Sequence, residues 1–245
     1  MKTIKITKFF ETDYIDAAQY ISLRNIASFC DGLKNSSRKT VFAITKKHIR
    51  KDVKVSRLKS TVAEMTEYLH GEDNLSSVIV NMAKRYVGTN NLPLLKDSGN
   101  FGKRLINDAS ADRYISTHGE IYLEKIFNED DFFSLQHQVF EKVDIEPRYY
   151  VPTLPMLLIN GSKYGIAVGF KQDILARPLG EMLKATKNYI KTGEFIAPKP
   201  GWNGFKGEVR KVDGTFVSLF HNETLCENDQ WKGWSDIYLK MVVQE

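Results

Sequence analysis

Arg113 and Tyr114 are the residues whose types and spacing suggest covalent chemistry in this chain. They close the stretch Ala109-Ser110-Ala111-Asp112-Arg113-Tyr114, a few residues beyond Ser98-Gly99-Asn100-Phe101-Gly102. A tyrosine can attack a phosphodiester and hold the broken strand as a phosphotyrosine. It needs a neighbouring cation to neutralise the phosphate, and a metal or base to help remove a phenolic proton of pKa about 10. The dipeptide alone does not single out that role. The chain has eleven tyrosines, and the ordinary place for such a ring is half-buried with its hydroxyl bonded. The elements that surround the pair must decide.

At 245 residues the chain is long enough to bury a sizeable core, as two modest domains or one with an appendage. Hydrophobic content of 42% and charged content of 27% are those of a globular protein. No apolar run approaches the ~20 residues of a membrane helix, and Met1 to Ile6 alternates charge with aliphatics, unlike a signal peptide; the expectation is a cytoplasmic protein with no membrane partner. Cys30 and Cys226 have no zinc or disulfide pattern around them and read as buried or idle thiols. Net charge is +5, but between Lys34 and Lys59 ten Lys or Arg residues face the single acid Asp52. Such a run is either a solvated face or a track for a polyanion, and the hydroxyls of Ser36, Ser37, Thr40, Thr45 and Ser56 would complement it on a phosphate backbone.

Helical spacing joins Leu23, Ile26, Ala27 and Cys30, then Val62, Met65 and Leu69, then Leu75, Val78, Ile79, Met82, Ala83 and Tyr86, and all three stripes are expected in the core. Asp31-Gly32-Leu33-Lys34 reads as a turn, with Ser36 or Ser37 capping a helix that carries Arg38 to Lys46. Gly71 reads as a left-handed cap between two helices. Several short helices in a basic half fit a helix-turn-helix or winged-helix module. Gly88 to Gly102 reads as a loop able to bring amides close to a phosphate, Ile121 to Phe127 as a helix, and Asn128 to Asp131 as a solvated acidic turn with no metal-ligand geometry. Pro147, Pro152 and Pro155 exclude a regular helix and suggest a boundary near Glu146. Pro178 opens a helix with Leu179, Met182, Leu183 and Ile190 on one face and Gly193 at its end. A Pro198 to Gly201 linker follows, then short strands with a hairpin turn at Asp213-Gly214.

Taken in order, these motifs resemble the breakage-reunion subunit of type IIA DNA topoisomerases, a family that includes gyrase's DNA-cutting component, the eukaryotic enzyme and the T4-like phage enzyme's medium subunit. Asp31-Gly32-Leu33-Lys34 with Arg38-Lys39 is similar to the family's DGLKPxxRR segment, His70-Gly71 to the end of HPHGD or YHHGE, and Gly99-Asn100-Phe101-Gly102 to the GQGNFG loop. Ala111-Asp112-Arg113-Tyr114 falls on its arginine and active-site tyrosine. Glu146 to Pro152, then Leu154 to Gly161 and Gly165 to Gly169, resemble EPxYYVPxxPxLLVNGxxGIAVG, and Trp202 to Gly207 resembles WYxGFKG. The collinear series runs from about residue 22 to about 210 and is far more specific than any one motif. The phage medium subunit is the branch it resembles most.

The resemblance implies an α+β protein: an N-terminal arm over 1–21, a winged-helix DNA-binding domain with the active-site tyrosine over 22–146, and the first part of an α/β tower domain over 147–245. It implies a transient 5′-phosphotyrosine link formed by Tyr114 and stabilised by Arg113, so that a second duplex passes through the gap. Lys34, Arg38, Lys39, His70 and Asn100 would be DNA-binding, and Ile166 would wedge between base pairs and bend the duplex. No metal ligand is assigned on this chain. Mg2+ and ATP are implied on a partner ATPase and metal-binding subunit, with double-stranded DNA and a homodimer within a larger assembly as the other partners. The location implied is the cytoplasm, of the host if the protein is viral. Three departures stand out: Asn35-Ser36-Ser37-Arg38-Lys39 replaces the proline and paired arginines, Leu69-His70 replaces the doubled histidine, and Ser162-Lys163-Tyr164 adds a residue to the intercalation turn. The alternative reading is a truncated or split DNA-binding module without strand passage of its own; a winged-helix regulator would account for the basic half but not for the context of Tyr114.

Overall fold

The computed structural model describes residues 5–205. The expected strands and hairpin after Gly207 lie outside them. Two exposed helices, α1 (Ile6–Glu11) and α2 (Asp13–Asn25), lead into α3 (Asn35–Lys46). The short strand β1 (Val53–Lys54) runs directly into α4 (Val55–Met65), which is followed by α5 (Glu72–Ala83). Val41, Phe42, Ala43 and Ile44 of α3, Val55, Leu58 and Val62 of α4, and Leu75, Ile79, Met82 and Ala83 of α5 are buried in one cluster. Burying such stripes against one another is the main favourable contribution to the fold.

A long loop leaves α5 and returns as β2 (Ser116–Thr117), antiparallel to β1, with Val53 opposite Thr117 and Lys54 opposite Ser116. The loop extends this pairing through isolated bridges from Ser98 to Ser116 and from Leu95 to Gly119. Then come α6 (Leu123–Ile126), a 3-10 turn at Glu129–Ser134, and the hairpin β3 (His137–Phe140) with β4 (Val143–Pro147). The prolines and Gly161 confine α7 to Met156–Asn160. The hairpin β5 (Ser162–Ala167) with β6 (Phe170–Ile174) follows, and α8 (Leu179–Thr192) ends on Gly193 in the left-handed region, as its sequence position suggests.

Several expectations change. Leu23 and Leu69 are exposed rather than core, because α2 has no buried residue and α4 ends at Met65. Gly71 has φ −58° and is the N-cap of α5, so it needs no left-handed conformation. The N-cap of α3 is Lys34, and no side chain caps it. Cys30 is an exposed free thiol. The acidic turn keeps Asn128 and Asp130 exposed, and the residue just after it, Phe132, is buried against Phe42 and Tyr150. The described residues lie within one compact unit, and Glu146 is buried in it. No helix among the described residues is long and apolar enough to cross a membrane.

Candidate active site

Tyr114 ends the turn that leads into β2, and it is 66% exposed, whereas Ile115 and Thr117, which follow it, are buried. The turn before it closes through the Tyr114 amide donating to the Ala111 carbonyl at 2.8 Å. Asp112 fastens that turn to two helices: its Oδ2 lies 2.8 Å from Lys59 Nζ on α4 and accepts from Ser76 Oγ on α5 at 3.0 Å. Its carbonyl accepts from the Ser56 amide at 3.2 Å, and the Tyr114 carbonyl accepts from Lys54 Nζ at 3.2 Å. Lys59 holds the Asp112 carboxyl below the usual range despite partial burial, and Asp112 in turn raises the Lys59 ammonium. The Arg113 guanidinium lies over the Tyr114 ring, 4.8 Å from its centroid, so the cation and the phenol share one exposed spot.

Asn100 acts on the loop that leads to this turn. Its Oδ1 accepts from the Gly102 amide at 3.1 Å, its Nδ2 donates to Ser110 Oγ at 3.3 Å, and its carbonyl accepts from the Ser110 amide at 2.9 Å. Gly102, at φ 90°, cannot carry a side chain, since a Cβ would lie 2.5 Å from the Asn107 carbonyl oxygen. Beside the same loop stands a cluster that sequence reasoning missed: Asp52 Oδ1 accepts from Ser98 Oγ at 2.8 Å and lies 2.7 Å from His118 Nδ1. The hydrogen bonds from His118 and then Ser98 hold the Asp52 carboxyl below its usual range. The one signal available was that Asp52 is the lone acid in the basic run.

The basic run divides by burial. Arg38 is buried and donates from Nε and Nη2 to Asp31 at 2.7 and 3.1 Å, with a further bond to the Leu33 carbonyl at 2.9 Å. Asp31 also accepts from the Tyr150 and Leu33 amides. Lys39 is buried too, with Nζ 2.8 Å from both Glu146 Oε1 and the Thr66 carbonyl. The expectation that Arg38 and Lys39 contact a phosphate backbone is therefore corrected. They lie on the inner side of α3, where a charge is stable only beside a counter-charge, and both are committed to buried carboxylates.

Lys34 donates to the carbonyls of Lys163 at 3.0 Å and Tyr164 at 3.1 Å, and burial lowers its pKa. It thus ties the start of α3 to the hairpin that carries Ile166. The Ile166 carbonyl accepts from Asn25 Nδ2 at 3.1 Å while its side chain stays 63% exposed. His70 Nε2 lies 3.0 Å from the Tyr20 hydroxyl, and burial, with Arg24 and Lys39 nearby, lowers its pKa and favours the neutral ring. Of the sites named from sequence, Arg113, Tyr114 and Asn100 thus share one loop-and-turn segment and Lys34 meets the Ile166 hairpin, while His70 stands apart beside Tyr20 and Arg38 and Lys39 lie in buried ion pairs. Among the described residues no three His, Cys, Asp or Glu side chains gather as a metal would require.

The family model for the A subunit of DNA gyrase/topoisomerase IV matches residues 24–224. The mitochondrial DNA topoisomerase 2 of Dictyostelium discoideum is 40% identical over 85% of this chain and 16% of its own length. DNA topoisomerase 2 of Acanthamoeba polyphaga mimivirus is 37% identical over 97% of this chain and 20% of its own length. The crystal structure of the Plasmodium falciparum topoisomerase II DNA-binding, cleavage and re-ligation domain superposes with a TM-score of 0.77 at 35% identity, over 84% of this chain and 28% of that one. This chain thus spans a fifth or less of the two curated relatives. They are amoebal and viral enzymes, so the expected closeness to a phage medium subunit gives way to a resemblance to DNA topoisomerase 2.

Proposed function

Since the chain belongs to the DNA gyrase/topoisomerase IV family of A subunits, we propose that it is the DNA cleavage and rejoining part of an ATP-dependent type II DNA topoisomerase. The observation that carries this reading is the exposed Tyr114 ring on a braced turn, with the Arg113 guanidinium 4.8 Å from its centroid. In the proposed reaction the Tyr114 oxygen bonds to a backbone phosphorus, the O3′ of that strand leaves and takes up a proton, and the phenolic proton passes to solvent or a base. The reverse attack by O3′ restores the strand and the tyrosine. Arg113 offsets the charge that develops on the phosphoryl oxygens, and the fixed turn lowers the entropy cost of aiming the phenol.

Residues 22–146 would form a winged-helix domain and residues 147–245 the first part of a tower, with 1–21 as an arm. The duplex would lie across the face of Tyr114 and reach Ile166, which would wedge between base pairs. Mg2+ is assigned to a partner subunit, because Asp112, the acid beside Arg113-Tyr114, is already bonded to Lys59 and Ser76. When bound there, the metal supplies Lewis-acid stabilisation of the phosphate. ATP is assigned to the same partner, and a second copy of this chain would cut the other strand.

The test combines the chain with supercoiled DNA, Mg2+, ATP and the ATPase subunit, followed by denaturant and detection of protein linked to DNA 5′ ends. Wild type should give the covalent adduct and Tyr114→Phe none. Equal yields from both would remove the nucleophile assignment.

A further inference from the structure

We infer that Tyr164 is a second DNA-contacting side chain, laying its ring against the base step opened beside Ile166. This rests on the duplex-binding reading above. The sequence has one residue more than the family signature between Gly161 and Gly165, and an uncompensated insertion in a strand would turn Ile166 to the opposite face. The structure absorbs the extra residue as an irregularity in β5 between Ser162 and Gly165. Beyond it the pairing is regular, with Gly165 opposite Gln172, Ile166 opposite Lys171 and Ala167 opposite Phe170. The surplus residue is therefore expressed locally, and Tyr164 adopts φ 55°.

Glycine or asparagine would occupy that backbone conformation at less cost than a tyrosine. The ring draws little compensating burial from the fold, since Tyr164 is 84% exposed. The segment is nevertheless held firmly: Lys34 Nζ bonds the carbonyls of Lys163 and Tyr164 within the bulge, and Lys163 Nζ donates to the Gly88 carbonyl at 3.1 Å. A rigid mount for an exposed, conformationally disfavoured aromatic ring is best explained by a ligand for the ring.

The surroundings indicate which ligand. Ile166 and Phe170 are exposed on the same hairpin, with the exposed Lys171 opposite Ile166 and Asp173 as the hairpin's single acid. Exposed apolar and aromatic side chains beside a cation match a polyanion with flat apolar faces inside it, which is duplex DNA at an unstacked step. An insertion that left Ile166 in register while adding a ring next to it would enlarge the wedge.

The experiment measures the affinity of the full chain for a fluorescein-labelled duplex by anisotropy, with thermal melting of each variant. Tyr164→Phe should bind as wild type does. Tyr164→Gly relieves the backbone and should melt no lower than wild type, yet bind about tenfold more weakly. If Tyr164→Gly binds the duplex as wild type does, Tyr164 is only a turn residue and the inference falls alone. If the wild-type chain holds no duplex, the functional reading falls and takes the inference with it. Self-association without DNA that Tyr164→Gly abolishes would assign the ring to a protein contact and also overturn it.

Discussion

Asp112 has no direct role in the proposed chemistry, yet it is the residue on which the aim of Tyr114 depends. Its carboxylate joins the turn to α4 through Lys59 and to α5 through Ser76. Asp112→Asn should slow formation of the covalent adduct by about ten- to a hundredfold in single-turnover assays, with little change in DNA affinity, since a small misplacement of a nucleophile is costly. The same bonds set a pH dependence. Lys59 lowers the folded pKa of Asp112 below its unfolded value, so the stabilisation is fully present above the ordinary Asp range and is lost as pH falls through the folded pKa. The difference in stability between wild type and Asp112→Asn, from urea titrations, should persist at neutral pH and shrink as the pH drops below about 4. Tyr114 stood out in the sequence as the candidate nucleophile because its neighbours occur in a fixed order. Arg38 and Lys39 were misread because a basic residue type suggests solvent, whereas Glu146, the partner of Lys39, lies on a hairpin far along the chain.

The turns decide how the elements come together. Gly32, in the Asp31 to Lys34 segment, has φ 70°, and a Cβ there would lie 2.5 Å from the Leu157 amide nitrogen of α7. Gly32→Ala should therefore cost about 2–4 kcal/mol, combining left-handed strain with backbone displacement, measured as a fall in the urea midpoint. The neighbouring Asp31 carboxylate accepts from Arg38 and from the Tyr150 amide, so the shift would also loosen the buried ion pair. At this scale the helices α3, α4, α5 and α8 were readable from apolar periodicity, as were the breaks at the prolines. The exposure of Leu23 was not, since a stripe on α2 shows that a face is apolar without showing what covers it. The bulge in β5 was visible only as a surplus residue; its resolution at Tyr164 depends on pairing with β6.

Across the whole molecule, burying Arg38 with Asp31 and Lys39 with Glu146 removes equal numbers of positive and negative charges, so the net charge of +5 is unaffected, but the basic run contains fewer surface cations for the proposed DNA contact than its sequence suggests. Binding would rest instead on exposed cations such as Lys51, Lys54 and Arg113. If about four phosphates are contacted, affinity for a duplex should fall about a hundredfold between roughly 50 and 200 mM salt, a slope that a filter-binding or anisotropy series would read directly. A flat salt response would remove the electrostatic surface from the proposed function. By itself the sequence determined the family, the candidate nucleophile and most helices, because these depend on residue order and local periodicity. Only the tertiary structure decided which charges are buried, how the extra residue at Tyr164 is accommodated and what braces the turn before Tyr114. Burial, register and ion pairing are relations between residues distant along the chain, and no local pattern carries them.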